Sequence, residues 1–273
     1  MQPFKRGFSL LVTCAISILF ALPLQGNEKS IVVVIPSFNN REWYKLNLDS
    51  IFMQNYQNYR VIYIDDRSED GTGELVAQYI RERDLQDRIQ LIQNQERVGA
   101  LENIYNAIWT CQPDEIVVNV DGDDWLYTEN VFQTLNALYS DSDVWMTYGQ
   151  YIDFPSDTVG HCREVPIEIV SENRFRGYPW VTSHLRTYYA GLFQKIAKED
   201  LLYEGKFLTV AWDLAFMYPM LEMSGTRSRF VPEILYVYNQ ATPFNDHKLR
   251  REMQIFFAGF IERKQPYQKL ESL

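Results

Sequence analysis

Cysteine is scarce here: three in 273 residues, far apart, with no CxxC pair and no Cys/His spacing of the kind that closes a zinc site. Histidine is as rare, at three. Basic charge is also short, with 26 Lys and Arg against 36 Asp and Glu. The resulting formal charge of −10 speaks against a nucleic-acid backbone as main partner. No segment repeats and none is of low complexity. No glycine-rich phosphate loop followed by a basic residue stands near the first apolar segment of the folded part, which weighs against a nucleotidyltransferase. What the chain does have is apolar and aromatic matter, 46% and 15% of residues, enough for one large or two small domains with a sizeable core.

The longest hydrophobic run is at the start. Lys5 and Arg6 precede an apolar stretch from about Phe8 to Leu24, which ends in Gln25-Gly26-Asn27. Residues 1–26 read as a cleaved signal peptide or a short uncleaved anchor, near the lower length limit for a span. The positive-inside preference puts the rest of the chain outside the cytosol, in a periplasm or secretory lumen, or anchored to a membrane. Cys14 falls within the run; Cys111 and Cys162 are left as a pair that an oxidising compartment would allow to bond.

Beyond it, strand and helix patterns alternate. Ser30–Asn40 opens with an apolar strand, broken by Pro36 and followed by polar turn residues, and Tyr59–Ile64, Ile89–Ile92 and 116–120 are further strand-like runs. Helical patterns are expected over 42–54, 74–83, 99–109 and 129–139, and again over 186–196 and 213–223. Strands are expected over 144–150 and 228–238. Residues 151–183 read as long loops, and Asp246 as the cap of a last helix to about Arg263. Continuous apolar strands between helices predict an α/β domain with a mostly parallel sheet, whose ligands sit beyond the carboxyl ends of the strands. Asn39, Asp65 and Asp121 all fall at such ends. In Asp121-Gly122-Asp123-Asp124, three carboxylates crowd the end of a buried strand, where they repel and need a cation. Hard oxygen donors suit Mg²⁺ or Mn²⁺. An isolated Asp-rich turn on the surface has the same composition.

Taken in order, VVVIPSFNN, YIDDRSEDGT, NQERVGALEN and VNVDGDDWL resemble the family 2 glycosyltransferases, over about Ile31–Leu126 and more loosely to Tyr238. The resemblance implies a GT-A fold, a Rossmann-like nucleotide-sugar-binding half (27–126) followed by an acceptor-side half (127–245), with residues 246–273 as a C-terminal helix. It implies transfer of a sugar from a nucleotide-diphosphate donor, a UDP-sugar, to an acceptor hydroxyl with inversion, assisted by Mn²⁺ or Mg²⁺. A glycan, lipid-linked molecule or protein is the implied acceptor. A non-catalytic nucleotide-sugar- or glycan-binding relative is the alternative.

Carried over position by position, Pro36, Phe38 and Asn39 stand where the first strand meets the donor, and Asp65 and Asp66 match the pair that holds base and ribose. Arg97, where asparagine is more usual, and Asn103 match a segment passing the nucleotide. Asp121 and Asp123 match the DxD pair for metal and diphosphate, and Asp124 extends it. Val210-Ala211-Trp212-Asp213-Leu214 stands where the general base is expected, with Trp212 in place of glutamate. Asp213 is the candidate base, or else a helix cap. His184 and Arg186, expected near a helix start, are candidates for acceptor or diphosphate, with Trp125 and Trp212 beside them. His247 is a candidate metal ligand and Lys248 a candidate phosphate contact. His161 reads as structural. Trp180, Tyr188 and Tyr189 read as sugar-stacking or core residues.

Overall fold

The computed structural model describes residues 28–242 and 251–273. The apolar run before Glu28 and the candidates Asp246, His247 and Lys248 lie outside the described residues. The chain lays down strand β1 (Ile31–Ser37), helix α1 (Tyr44–Phe52), β2 (Tyr59–Asp65), α2 (Thr72–Glu82), β3 (Ile89–Gln93), α3 (Ala100–Ile108) and β4 (Ile116–Asn119). It continues with β5 (Trp125–Leu126), α4 (Val131–Leu138), β6 (Met146–Phe154), α5 (Ile167–Ser171), β7 (Ser183–Tyr189) and α6 (Ala190–Phe193). A hairpin of β8 (Leu202–Tyr203) and β9 (Lys206–Phe207), then α7 (Trp212–Ser224), β10 (Ser228–Asn239) and α8 (Arg251–Glu262) follow among the described residues.

Eight strands form one sheet in the order β3-β2-β1-β4-β7-β6-β10-β5. β3, β2, β1 and β4 run parallel, as β-branched strands buried on both faces require. β7 is antiparallel to both its neighbours, β4 and β6, and β5 is antiparallel to β10. The period-2 alternation of side chains then divides the core into two layers. Val32, Val34, Ile62 and Ile64 face α3 and α7, whereas Ile31, Val33, Ile35 and Val61 face α1, α2 and α4. The mostly parallel α/β architecture is as expected.

The segment 186–196 is where pattern and structure part. It reads as a helix, yet Ser183–Tyr189 is a strand and only Ala190–Phe193 is helical. The strand fills the space between β4 and β6, whose edges supply ladder partners along its length. Residues 151–183 are less irregular than expected, because β6 runs on to Phe154 and α5 follows. Cys111 and Cys162 are both buried free thiols, one in each core layer, and do not pair. Among the described residues no helix is long and apolar enough to cross a membrane.

Candidate functional site

Two adjoining clefts open at the carboxyl ends of β1, β2 and β4. The first, of about 370 Å³, is lined by Ser37, Asp66, Gly99, Asn103 and Thr209 among others. The second, of about 460 Å³, is lined by Asp121, Asp123, His184, Arg186 and Asp213. Pro36, Phe38, Arg97, Ala100 and Trp212 line both, so the two form one continuous site.

The first cleft is built around Asp66. Its carboxylate accepts from the backbone N–H groups of Val98 (3.0 Å) and Gly99 (2.8 Å) and from the Asn94 amide (2.8 Å). Burial pushes its pKa up, but these donors win and hold it below the usual carboxylate range. Asn94 also donates to the Asn103 carbonyl, leaving the buried Asn103 amide nitrogen without a partner. A buried donor in that state is costly unless a ligand meets it. Arg97 lies 3.5 Å from the centroid of the Phe38 ring, making a flat cationic wall.

Asp65, one residue earlier, lines neither cleft. Its carboxylate accepts from Ser68 and lies beneath Gly73, where a Cβ would come within 2.7 Å of it. Successive residues at a strand end point opposite ways, so only one of the pair reaches the site. Asn39 also turns aside. At φ 54° its N–H donates to Ser68, and its side chain accepts from Glu69, bracing two loops together. Asn40, which the sequence did not single out, lines the second cleft instead.

In the second cleft the acidic turn is held rigidly from below. The Asn47 amide donates to the carbonyls of Asp121 (3.0 Å) and Asp124 (2.8 Å). Asp124, 1% exposed, accepts from the Tyr236 hydroxyl and the Asn239 N–H, each at 2.7 Å. Asp124 is therefore a strut, with both oxygens occupied by protein donors. Burial, then the charges of Asp123 and Asp121, push its carboxyl well up. Gly122 is required: a Cβ there would lie 2.5 Å from the Asn40 amide and 2.6 Å from Ser37. Trp125 lines neither cleft; it stacks on Trp43 and meets Phe154 edge-on at the sheet edge.

Because β7 is a strand, His184 and Arg186 share one face, two residues apart, and both enter the cleft. The imidazole of His184 is 2.8 Å from the Arg186 guanidinium, which lies 3.7 Å from the Asp213 carboxylate and carries a buried Nε without a partner. Asp213 is in the first turn of α7, after Ala211 in a left-handed conformation, and is not the cap residue. Burial raises the Asp121 carboxyl, Arg186 opposes this, and Asp213 adds to it. Trp180 and Tyr238 line the cleft wall and His161 its mouth; Tyr188 is core, and Tyr189 lies at the other end of the sheet.

A divalent cation, as the resemblance implies, fits this donor set. Asp121, Asp124 and His184 each bring one ligand atom into a group spanning 4.8 Å. Asp124 and His184 already accept hydrogen bonds, so the cleft-lining carboxylates of Asp121 and Asp123 are the ones suited to a hard ion. The signals that would have found Asn47, Tyr236 and Asn239 are absent from the sequence, since each acts across a long sequence separation; Asn94 opens the NQERVGALEN motif, but the sequence did not single it out.

Comparison with known proteins agrees with this fold. The chain is 28% identical over 124 residues to glycosyltransferase GlyG of Streptococcus pneumoniae, covering 45% of this chain and 40% of that protein. The chain thus spans well under half the length of this curated relative. Its fold matches S. aureus TarS residues 1–349 in complex with UDP, with TM-score 0.60, 18% identity, and 77% and 60% of the two chains covered. It also matches the mannosyltransferase PcManGT of Pyrobaculum calidifontis in complex with GDP-Man and Mn²⁺, with TM-score 0.59, 21% identity, and 88% and 66% covered. Residues 32–201, more than half of the chain, match the model of glycosyl transferase family 2, and the chain belongs to that family.

Proposed function

We propose that this chain transfers a sugar from a nucleotide-diphosphate donor, a UDP-sugar, to an acceptor hydroxyl with inversion, assisted by Mn²⁺ or Mg²⁺. The observation that carries the reading is the convergence of Asp66, Asp121, Asp123 and Asp213 on one continuous pair of clefts at the strand ends. That TarS and PcManGT have been solved with UDP and with GDP-Man supports a donor of this class.

In this reading the nucleoside occupies the first cleft. Asp66 accepts from it, the free amide of Asn103 donates to it, and the Phe38–Arg97 wall covers it. Asp121 and Asp123 would hold the cation, which would offset the charge developing on the leaving diphosphate. Asp213 takes the proton of the acceptor hydroxyl as its oxygen bonds to the anomeric carbon and the carbon–diphosphate bond breaks. Arg186 braces Asp213 from the strand behind, and Trp180 and Tyr238 offer the acceptor sugar an aromatic wall.

The test is calorimetry with UDP and Mn²⁺ alongside a transfer and donor-hydrolysis assay across UDP-, GDP- and dTDP-sugars. Asp123→Ala is expected to abolish transfer and metal-dependent donor binding, and unchanged turnover would reject the site. Asp213→Asn is expected to lower turnover by about 10²- to 10⁴-fold while nucleotide binding survives. Full activity in that variant would move the base elsewhere. Nucleotide binding without any turnover in the wild type would favour the binding relative.

A further inference from the structure

A third concavity lies at the far end of the sheet. Of about 740 Å³, it is lined by Trp109, Trp145, Tyr189 and Leu273, with Lys29 and Lys195 also on its wall. The register fixes its place. Ile116 pairs with Ile31 on one side and Tyr189 on the other, so the start of β1, the start of β4 and the end of β7 are level. Trp145 directly precedes β6, whose Met146 faces Tyr188. β1 then carries the chain from this end to Ser37 at the clefts, a rise of about 20 Å for its seven residues. The groove is apolar where it opens: Trp109 is 52% exposed and Leu273 44%. Trp145 forms its floor, with Arg227 4.2 Å from its ring centroid.

What meets this surface follows from where the described chain begins. Glu28 and Lys29 line the groove themselves. Only Gln25, Gly26 and Asn27 separate Glu28 from the apolar run that ends at Leu24. Four Cα steps reach at most about 14 Å. A run retained in a bilayer would therefore tether this end of the sheet, and not the cleft end, against the membrane surface. A half-exposed tryptophan with a partly buried tyrosine, beside lysine, is the composition that sits at a headgroup boundary, with rings at the interface and ammonium groups reaching into water. Glu28 and Asp114 balance the two lysines, so the match is to zwitterionic lipid more than to anionic lipid.

We propose that the groove of Trp109, Trp145, Tyr189 and Leu273 rests on a lipid bilayer, with the run 8–24 kept as an anchor. The clefts then face away from that bilayer, about 20 Å beyond the groove. Acceptors reach the site from the aqueous side or on a chain long enough to span that distance. The proposal holds whether or not the clefts transfer sugar.

The experiment uses the full chain reconstituted in phosphatidylcholine vesicles with plain or brominated acyl chains, with tryptophan emission as the readout. Bromine quenching is expected in the wild type, largely lost in Trp109→Phe and unchanged in Trp43→Phe, whose ring is at the cleft end of the sheet. Trp109 is half-exposed, so exchanging its ring leaves the core intact. Equal quenching in wild type and Trp109→Phe overturns the proposal, as does no quenching. So does a Trp109 shielded from aqueous acrylamide without lipid, because a second copy or upstream residues then fill the groove. UDP calorimetry on the same vesicles is read separately, and its failure would count against the transferase reading alone.

Discussion

His184 is buried against Tyr236, ring centroids 4.6 Å apart and nearly parallel, with Tyr238 at 5.4 Å. Burial, and then the Arg186 charge, hold its pKa well below the ordinary 6.5, so the imidazole is neutral and accepts from the guanidinium. The unfolded chain therefore takes up this proton first as pH falls. This share of stability is full above about pH 6.5 and is lost at about 1.4 kcal/mol per unit below it, until the depressed folded value is reached. Thermal melts between about pH 7.5 and 5 should fall more steeply for the wild type than for His184→Gln. The raised carboxyls of Asp121 and Asp124 act with the opposite sign but in both proteins, so the difference isolates His184. Gly122→Ala is expected to cost about 1–3 kcal/mol in denaturant melts, because the new Cβ meets Asn40 and Ser37. At this scale the acidic turn was legible, since carboxylate density at a strand end is local information. That Asp66 and not Asp65 enters the cleft, and that Asp124 is a strut, depends on partners as distant as Asn239, 115 residues away.

Among the elements, α7 shows how a candidate base is held in place. Its first turn carries Asp213, and its last turns are clamped by a buried pair, Arg176 to Glu222 at 2.6 and 2.9 Å, with side chains 6% and 0% exposed. The same guanidinium donates to the Ile261 carbonyl at the end of α8, and Glu222 accepts from the Tyr267 N–H at 2.9 Å. One ion pair thus ties helix, C-terminal helix and tail together. Arg176→Met leaves Glu222 buried and unpaired, and is expected to cost about 3–5 kcal/mol. Chemical denaturation measures the loss, and hydrogen exchange should show residues 251–273 opening first. Pairing it with Glu222→Leu should restore much of the stability, because two apolar groups replace two desolvated charges. The misread strand β7 teaches the complementary lesson. Its apolar and aromatic residues suit either period, and only the free edges of β4 and β6 decide for a strand.

At the scale of the molecule, both clefts depend on one sheet, so ligand binding should stabilise the whole domain cooperatively. UDP with Mn²⁺ at about a hundredfold over its dissociation constant is expected to add about 2.7 kcal/mol. Differential scanning fluorimetry should show a smaller rise with UDP alone and none with Asp66→Ala. The sequence by itself determined the alternation of strands and helices, the mostly parallel sheet and the ends at which its acidic residues gather. Those follow from local periodicity and from the demand of buried β-branched strands for covered faces. Only the tertiary structure decided which carboxylates share a cleft, which are consumed as struts, and that His184 and Arg186 arrive on a strand. It alone placed an aromatic groove beside the chain's entry at Glu28. The reason is physical: a side chain's direction and partners are set by elements packed from far along the chain, and no local pattern encodes them.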